Sequence, residues 1–246
     1  MQTNYHVLNG DCLLEQFPTA IAGTKYVARE CMVEGPVLGD TLEAVIQTRT
    51  NFINLTYGVT PMQYQAQTYK EFNGMIKIPM GSTLYLWFEE DLFCQVNWWF
   101  CMFLIQTYTQ DLNVHLVKPM AAMRYNFGGM NAAELTTAFN NSVVIEQKDR
   151  DLLAQLWRAY QTNKFTNMHA IAFQLQTKYP FVQEAVQAHQ QRFDTPTALG
   201  KPKRILQEII SELNTQDFGP VFRAFCKRAP YYGFGDAQVM RLLKEL

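Results

Sequence analysis

The sequence predicts an α/β protein: a mainly parallel, Rossmann-like sheet flanked by helices, followed by an all-helical C-terminal half. Short apolar or β-branched runs alternate with helical periodicities up to about residue 140, the rhythm of parallel strands joined by crossover helices. From about Gln147 only amphipathic helical patterns follow. Charge divides at the same place: residues 1–140 carry 7 Lys/Arg and 12 Asp/Glu, net −5, whereas residues 141–246 carry 14 and 10, net +4. The expected organisation is an α/β domain over 1–141 and a helical domain over 142–246.

The strands expected are Tyr5–Leu8, Lys25–Ala28, Thr83–Phe88 and Val114–Val117, each short and bounded by turn residues. Between and after them, helical patterns cover Cys12–Phe17, Leu42–Leu55, Met62–Asn73, Leu92–Tyr108 and Asn131–Phe139. In the third strand Leu84, Leu86 and Phe88 alternate with Tyr85 and Trp87, so both faces are large and apolar, as in a central strand covered on two sides. The second half reads as helices at Arg150–Tyr160, Met168–Thr177, Phe181–Arg192, Lys203–Leu213, Gly219–Lys227 and Asp236–Leu246.

Composition excludes several classes. With 48% hydrophobic residues, 17% charged, and 21 basic against 22 acidic side chains, the chain is neither a generally basic nucleic-acid binder nor a disordered acidic segment. Five cysteines at 12, 31, 94, 101 and 226, without a CxxC pair, read as reduced thiols rather than a disulfide framework or a structural zinc site. The opening MQTNYHVLNGD lacks a cationic segment before an apolar stretch, so the expected location is the cytoplasm. The aromatic run Leu92–Tyr108 is interrupted by Gln95, Asn97 and Gln106 and falls short of the roughly 20 residues a spanning helix needs; a buried helix, and no membrane partner, is expected.

In an open parallel sheet, ligands bind beyond the carboxyl ends of the strands. Those ends carry Asn9-Gly10-Asp11, then Arg29-Glu30 with Glu34-Gly35-Pro36 following, then Glu89-Glu90-Asp91, and finally Lys118-Pro119. If the strands are neighbours, Asp11, Arg29, Glu30, Glu89 and Asp91 meet on one rim, with Gln95 one helical turn beyond Asp91 and paired with it, and Asn97 pointing elsewhere. Simple N-capping explains Asp11 and Asp91 equally well. Three consecutive carboxylates at 89–91 require compensation, from Arg29, Lys118, a helix N-terminus or a cation. One glycine at Asn9-Gly10-Asp11 is too few for a dinucleotide fingerprint, and no P-loop or G-x-S-x-G elbow occurs, which disfavours NAD, P-loop ATP and serine-hydrolase chemistry. His6 and His115 lie early in their strands and read as structural.

The same segments carry a resemblance. His6-Val7-Leu8-Asn9-Gly10-Asp11, Arg29-Glu30 with Glu34-Gly35-Pro36, and Leu86-Trp87-Phe88-Glu89-Glu90-Asp91-Leu92 with Gln95 resemble, in order and spacing, the uncharacterised bacterial family catalogued as domain of unknown function 1835. Trp157-Arg158-Ala159-Tyr160 and Gly235-Asp236 are similar to its helical companion domain. The resemblance implies an α/β domain with a polar rim at Asp11, Arg29, Glu30, Glu34, Glu89, Asp91 and Gln95, but no reaction. It departs at Glu90, where the family pattern has His, and at Cys94, where it has a second Asp.

The favoured function is binding of a small polar ligand, nucleotide- or phosphate-like, at Asn9, Gly10, Asp11, Arg29, Glu30, Glu34, Glu89, Asp91 and Gln95. A divalent metal at Asp11 and Asp91, and acid–base catalysis by Asp11, Glu30, Glu89 or Asp91, are chemistries this rim suits. The alternative is a regulatory or scaffold protein whose basic residues Lys201, Lys203, Arg204, Arg223, Lys227 and Arg228 contact a protein partner or DNA. Tyr231-Tyr232-Gly233-Phe234-Gly235-Asp236 reads as a loop that locks the last helix in place, with Asp236 as its N-cap.

Overall fold

The computed structural model describes residues 3–246; Met1 and Gln2, the first two residues of the opening segment considered above, lie outside the described residues. Five strands form one sheet: β1 (Asn4–Leu8), β2 (Thr24–Val27), β3 (Thr83–Trp87), β4 (Asn113–Val117) and β5 (Val143–Val144). Their order is β2-β1-β3-β4-β5, with the first four parallel and β5 antiparallel to β4. The short strand β5 extends the sheet past residue 141.

Helix α1 (Asp11–Glu15) connects β1 to β2. A longer crossover carries the chain from β2 over β1 to β3: α2 (Leu42–Tyr57), α3 (Pro61–Tyr64), a π-helical turn at Gln65–Tyr69, and α4 (Lys70–Met75). The helix expected from Met62 to Asn73 thus runs without a break from Pro61 to Met75, with a π turn inside it. Local chemistry sets these ends. Thr41 Oγ1 accepts from the Ala44 amide at 3.1 Å to start α2, Gly58 stops it at φ +71°, and Thr60 and Gln63 form a reciprocal capping box ahead of Pro61.

Helix α5 (Leu92–Tyr108) links β3 to β4, and α6 (Ala132–Asn140) precedes β5. The remaining chain is helical: α7 (Gln147–Tyr160), α8 (Phe165–Leu175), α9 (Pro180–Gln191), α10 (Lys201–Leu213), α11 (Phe218–Arg228) and α12 (Asp236–Lys244). No helix among the described residues is long and apolar enough to cross a membrane.

The alternation in the strands builds two cores. Val7, Leu84, Leu86, Val114 and Leu116 face one way; Leu8, Trp87 and Val117 face the other. On the second face α1 and α6 complete a small cluster around Trp87 and Phe127. On the first, α5 packs between the sheet and helices α7 and α9, so 13 of its residues are buried around its whole circumference. That core runs without interruption from Val7 to Val239, joining sheet and C-terminal helices.

His6 is buried on the second face, where its Nε2 meets the Ala22 carbonyl at 3.1 Å and Trp87 Nε1 donates to its Nδ1 at 3.2 Å. Gly23 passes so close that a Cβ there would lie 2.7 Å from the imidazole, and burial lowers the His6 pKa to about 4. His6 is a packed, neutral side chain.

Candidate functional site

Strands β1 and β2 end side by side, and beyond them lies a cavity of about 380 Å³. Its rim holds Asn9, Gly10 and Asp11 after β1 and Arg29 and Glu30 after β2. Ile53 and Tyr57 of α2, Val59, and Phe93 of α5 supply a largely apolar wall, while Gln67 and Thr68 on the π turn close it from above. Gly10 adopts φ +105°, letting the chain pass from β1 into α1 within two residues. Gly10, not Asp11, is therefore the N-cap position, and Asp11 begins the helix without a capping hydrogen bond.

Freed from capping, Asp11 turns to Arg29. Its Oδ1 and Oδ2 accept from Arg29 Nε at 2.7 and 2.9 Å. Arg29 Nη1 donates to Glu71 Oε1 at 2.8 Å and to the Gln67 carbonyl at 3.1 Å. Two carboxylates thus share one guanidinium. This part of the rim is acceptor-rich rather than a ready phosphate cradle.

Glu30 is arranged differently. Arg49, which lies in the apolar stripe of α2 and is 0% exposed, grips it with Nε to Oε1 at 2.8 Å and Nη2 to Oε2 at 2.9 Å. Tyr64 Oη donates to Oε1 at 2.6 Å and the Cys31 amide donates to Oε2. All four acceptor positions of the carboxylate are used, which leaves no lone pair for proton transfer. Arg49 also holds the carbonyls of Cys31 and Pro36, each at 3.2 Å, so the pair fixes the loop after β2.

The three carboxylates after β3 are each compensated by a different group. Glu90 pairs with Arg124 at 2.8 Å and Lys118 at 3.4 Å. Glu89 accepts from the Phe127 amide at 3.2 Å and Asn9 Nδ2 at 3.4 Å, with Cys94 Sγ at 3.0 Å. Asp91 is the true N-cap of α5, where Oδ1 accepts from the Cys94 amide at 3.0 Å. Burial raises the Asp91 pKa to about 7, the charge of Glu89 pushes the same way, and the bonds to Cys94 oppose them. Burial likewise raises the Cys94 thiol well above its ordinary value, helped by both carboxylates.

Glu89, Asp91 and Cys94 are the one trio of metal-competent side chains found close together among the described residues, and Asp11 is not part of it. The expected pairing of Asp91 with Gln95 is replaced: Gln95 Nε2 donates to the Glu89 carbonyl at 2.8 Å, and its Oε1 is buried without a partner.

Asn97 does not point away. Its Nδ2 donates to the Glu30 carbonyl at 2.7 Å and to Asn9 Oδ1 at 3.1 Å, while its Oδ1 accepts from the Met32 amide at 3.2 Å. Through Asn9 and Asn97 the ends of β1, β2 and β3 become one polar network. Glu34 leaves that network. It accepts from Tyr57 Oη at 2.6 Å and from Arg241 of α12, and it lines a different cavity. Partial burial works against its ionisation, but Arg241 and Tyr57 hold it below the usual carboxylate range.

The C-terminal loop also reaches this region. Tyr232 and Phe234 are buried and stack on Phe225, which locks the segment before α12. Gly233, at φ +64°, lies against Asp91: a Cβ there would fall 1.9 Å from Oδ1. Asp236 accepts from its neighbour Ala237, and Gly235 holds the N-cap position instead. Among the basic residues, Lys203 is buried between Asp194 and Glu245, and Arg228 pairs with Glu208 and Glu212.

Comparison with family models, curated proteins and solved structures finds no match for this chain.

Proposed function

We propose that the chain is a cytoplasmic, two-domain protein with a Rossmann-like first domain, related to the bacterial family named above, that binds a small polar ligand of the nucleoside or nucleotide kind beside Asp11. The observation that carries this is the 380 Å³ cavity at the carboxyl ends of β1 and β2, next to the β1/β3 boundary where strand order reverses. Ile53, Val59 and Phe93 offer an apolar surface for a planar group. Asp11 and Asn9 Oδ1 offer acceptors for hydroxyl or amino groups. Because Arg29 is already held by Asp11 and Glu71, a phosphate on the ligand extends outward rather than supplying the main anchor. A divalent ion in this reading would be held by Asp11 between protein and ligand, because Glu89, Asp91 and Cys94 do not line the cavity; catalysis would be a further step.

The test is a thermal-shift screen of the whole chain with nucleosides, nucleotides, sugar phosphates and Mg²⁺ or Mn²⁺, since a ligand specific to the folded state raises the melting temperature. A shift is expected for a nucleoside or nucleotide, and Val59→Trp, which fills the cavity from its edge, should remove it. If nothing in the screen shifts the wild type while DNA produces a salt-dependent shift, the scaffold alternative replaces this reading. The ion pairs that occupy Lys203 and Arg228 speak against that outcome.

A further inference from the structure

A second cavity, of about 270 Å³, lies where the loop after β2 meets the ends of α9, α10 and α12. Val33, Phe234 and Leu242 form apolar walls, and Phe193 stands 40% exposed beside them. Six charged side chains also line it, and five are matched. Lys203 lies 2.7 Å from Asp194 and 2.8 Å from Glu245, and Arg241 is paired with Glu34. Arg192 is the sixth. It forms no ion pair among the described residues; its Nη1 donates to the Val33 carbonyl, and its Nε is buried with no hydrogen-bond partner. Among the described residues Arg192 is thus the one charged side chain of this cavity without a counter-ion, which a ligand anion would supply.

We propose that this cavity is a second ligand site, specific for a small monocarboxylate with an apolar body, whose carboxylate meets Arg192 and whose body lies against Val33, Phe234 and Leu242. The chemistry narrows the class from three sides. The planar fork of arginine matches a carboxylate, with two parallel N–H···O bonds. The lining holds three acidic and three basic side chains and leaves a single guanidinium without a counter-ion, which suits one negative charge and not the several of a nucleotide or a multiply charged phosphate. A neutral apolar molecule would desolvate Arg192 without giving it an acceptor. The site is separate from the cavity beside Asp11 and stands whether or not that cavity binds a nucleoside.

The experiment is calorimetric titration of the whole chain with phenylacetate and hexanoate, with phenylacetamide, hexanamide and inorganic phosphate as matched controls. At least one acid should bind saturably, its amide about tenfold or more weakly because the charge-assisted pair is lost, and phosphate not at all. Arg192→Gln should weaken the acid to the level of its amide. Leu242→Trp, which keeps Arg192 but fills the cavity from a half-buried position, should abolish binding. Saturable binding of neither acid, equal affinity of acid and amide, or an acid affinity unchanged in folded Leu242→Trp overturns the proposal. Should Arg192→Gln fail to fold through loss of its bond to Val33, the acid–amide comparison on wild type and the Leu242→Trp titration still decide.

Discussion

Asp91 is where capping, burial and charge meet, so Asp91→Asn separates them. Asparagine caps about as well as aspartate, and its Oδ1 can keep the 3.0 Å bond from the Cys94 amide; pure capping therefore predicts a change of a few tenths of a kcal/mol, independent of pH. Burial and Glu89 predict something else. They raise Asp91 from the ordinary 3.8 to about 7, so between those values the folded chain holds a proton that the unfolded chain has released. The folded state then binds more protons, and stability falls as pH rises. This contribution is fully present below about pH 4 and is lost by about pH 7, with an upper bound on the order of 4 kcal/mol. The N-terminus of α5 opposes it by favouring the anion, by up to about 2 kcal/mol. The net shift is still upward. Relative to wild type, Asp91→Asn should therefore gain about 1–3 kcal/mol on going from pH 5 to pH 8. Urea unfolding of both proteins at both pH values measures this. The difference between the proteins is required because His6 and His189, lowered by burial to about 4 and about 2, tilt the wild-type profile the other way. A difference that is equal at both pH values, or that moves toward wild type at pH 8, refutes the reasoning.

Three further outcomes follow from the geometry. Arg49→Met should cost about 3–5 kcal/mol in urea unfolding because Glu30 is left buried without its partner, and adding Glu30→Gln should recover part of that loss. Gly233→Ala should destabilise by about 2 kcal/mol or more, since it combines a positive φ with a Cβ driven into Asp91, and the melting temperature should fall accordingly. Asp11→Asn should leave stability within about 1 kcal/mol, because its side chain is half exposed, while removing any nucleoside-induced thermal shift seen in wild type.

The parts of the fold that were legible in the sequence are those fixed by local chemistry. Helix α5 begins and ends where the sequence places it, because Asp91 supplies a cap and the apolar run stops at Tyr108. The first four strands fall within a residue of expectation at each end, because turn residues bound each one. Of the expected rim, Asn9, Gly10, Asp11, Arg29 and Glu30 line one cavity, since β1 and β2 deliver their carboxyl ends to a single edge, whereas Glu89, Asp91 and Gln95 do not line it. Illegible were the contacts that depend on how layers stack. Helical spacing sets Asn97 apart from Asp91 and points it elsewhere, yet α5 is buried on every side and periodicity along it carries no direction. Arg49 did leave a trace: an arginine at the position where Leu42, Val45, Ile46 and Ile53 make a buried stripe demands a buried acid, and Glu30 supplies it.

Glu34 shows the other limit. It follows β2 as closely as the rim residues do, but its partner Arg241 is 207 residues away on α12. Tyr57 Oη completes that contact, accepting from Gln238 Nε2 at 2.7 Å and Arg241 Nη2 at 2.6 Å while donating to Glu34. The ring of Tyr57 lines the first cavity, whereas Glu34, Gln238 and Arg241 line the second. One phenol is thus a wall of one cavity and a fixed point of the other. A ligand that shifts α12 changes the hydrogen bonds of Tyr57, and a ligand that displaces Tyr57 changes the seat of α12. Any coupling between the two sites must have the same magnitude in both directions, because it is a single free energy shared by both binding equilibria.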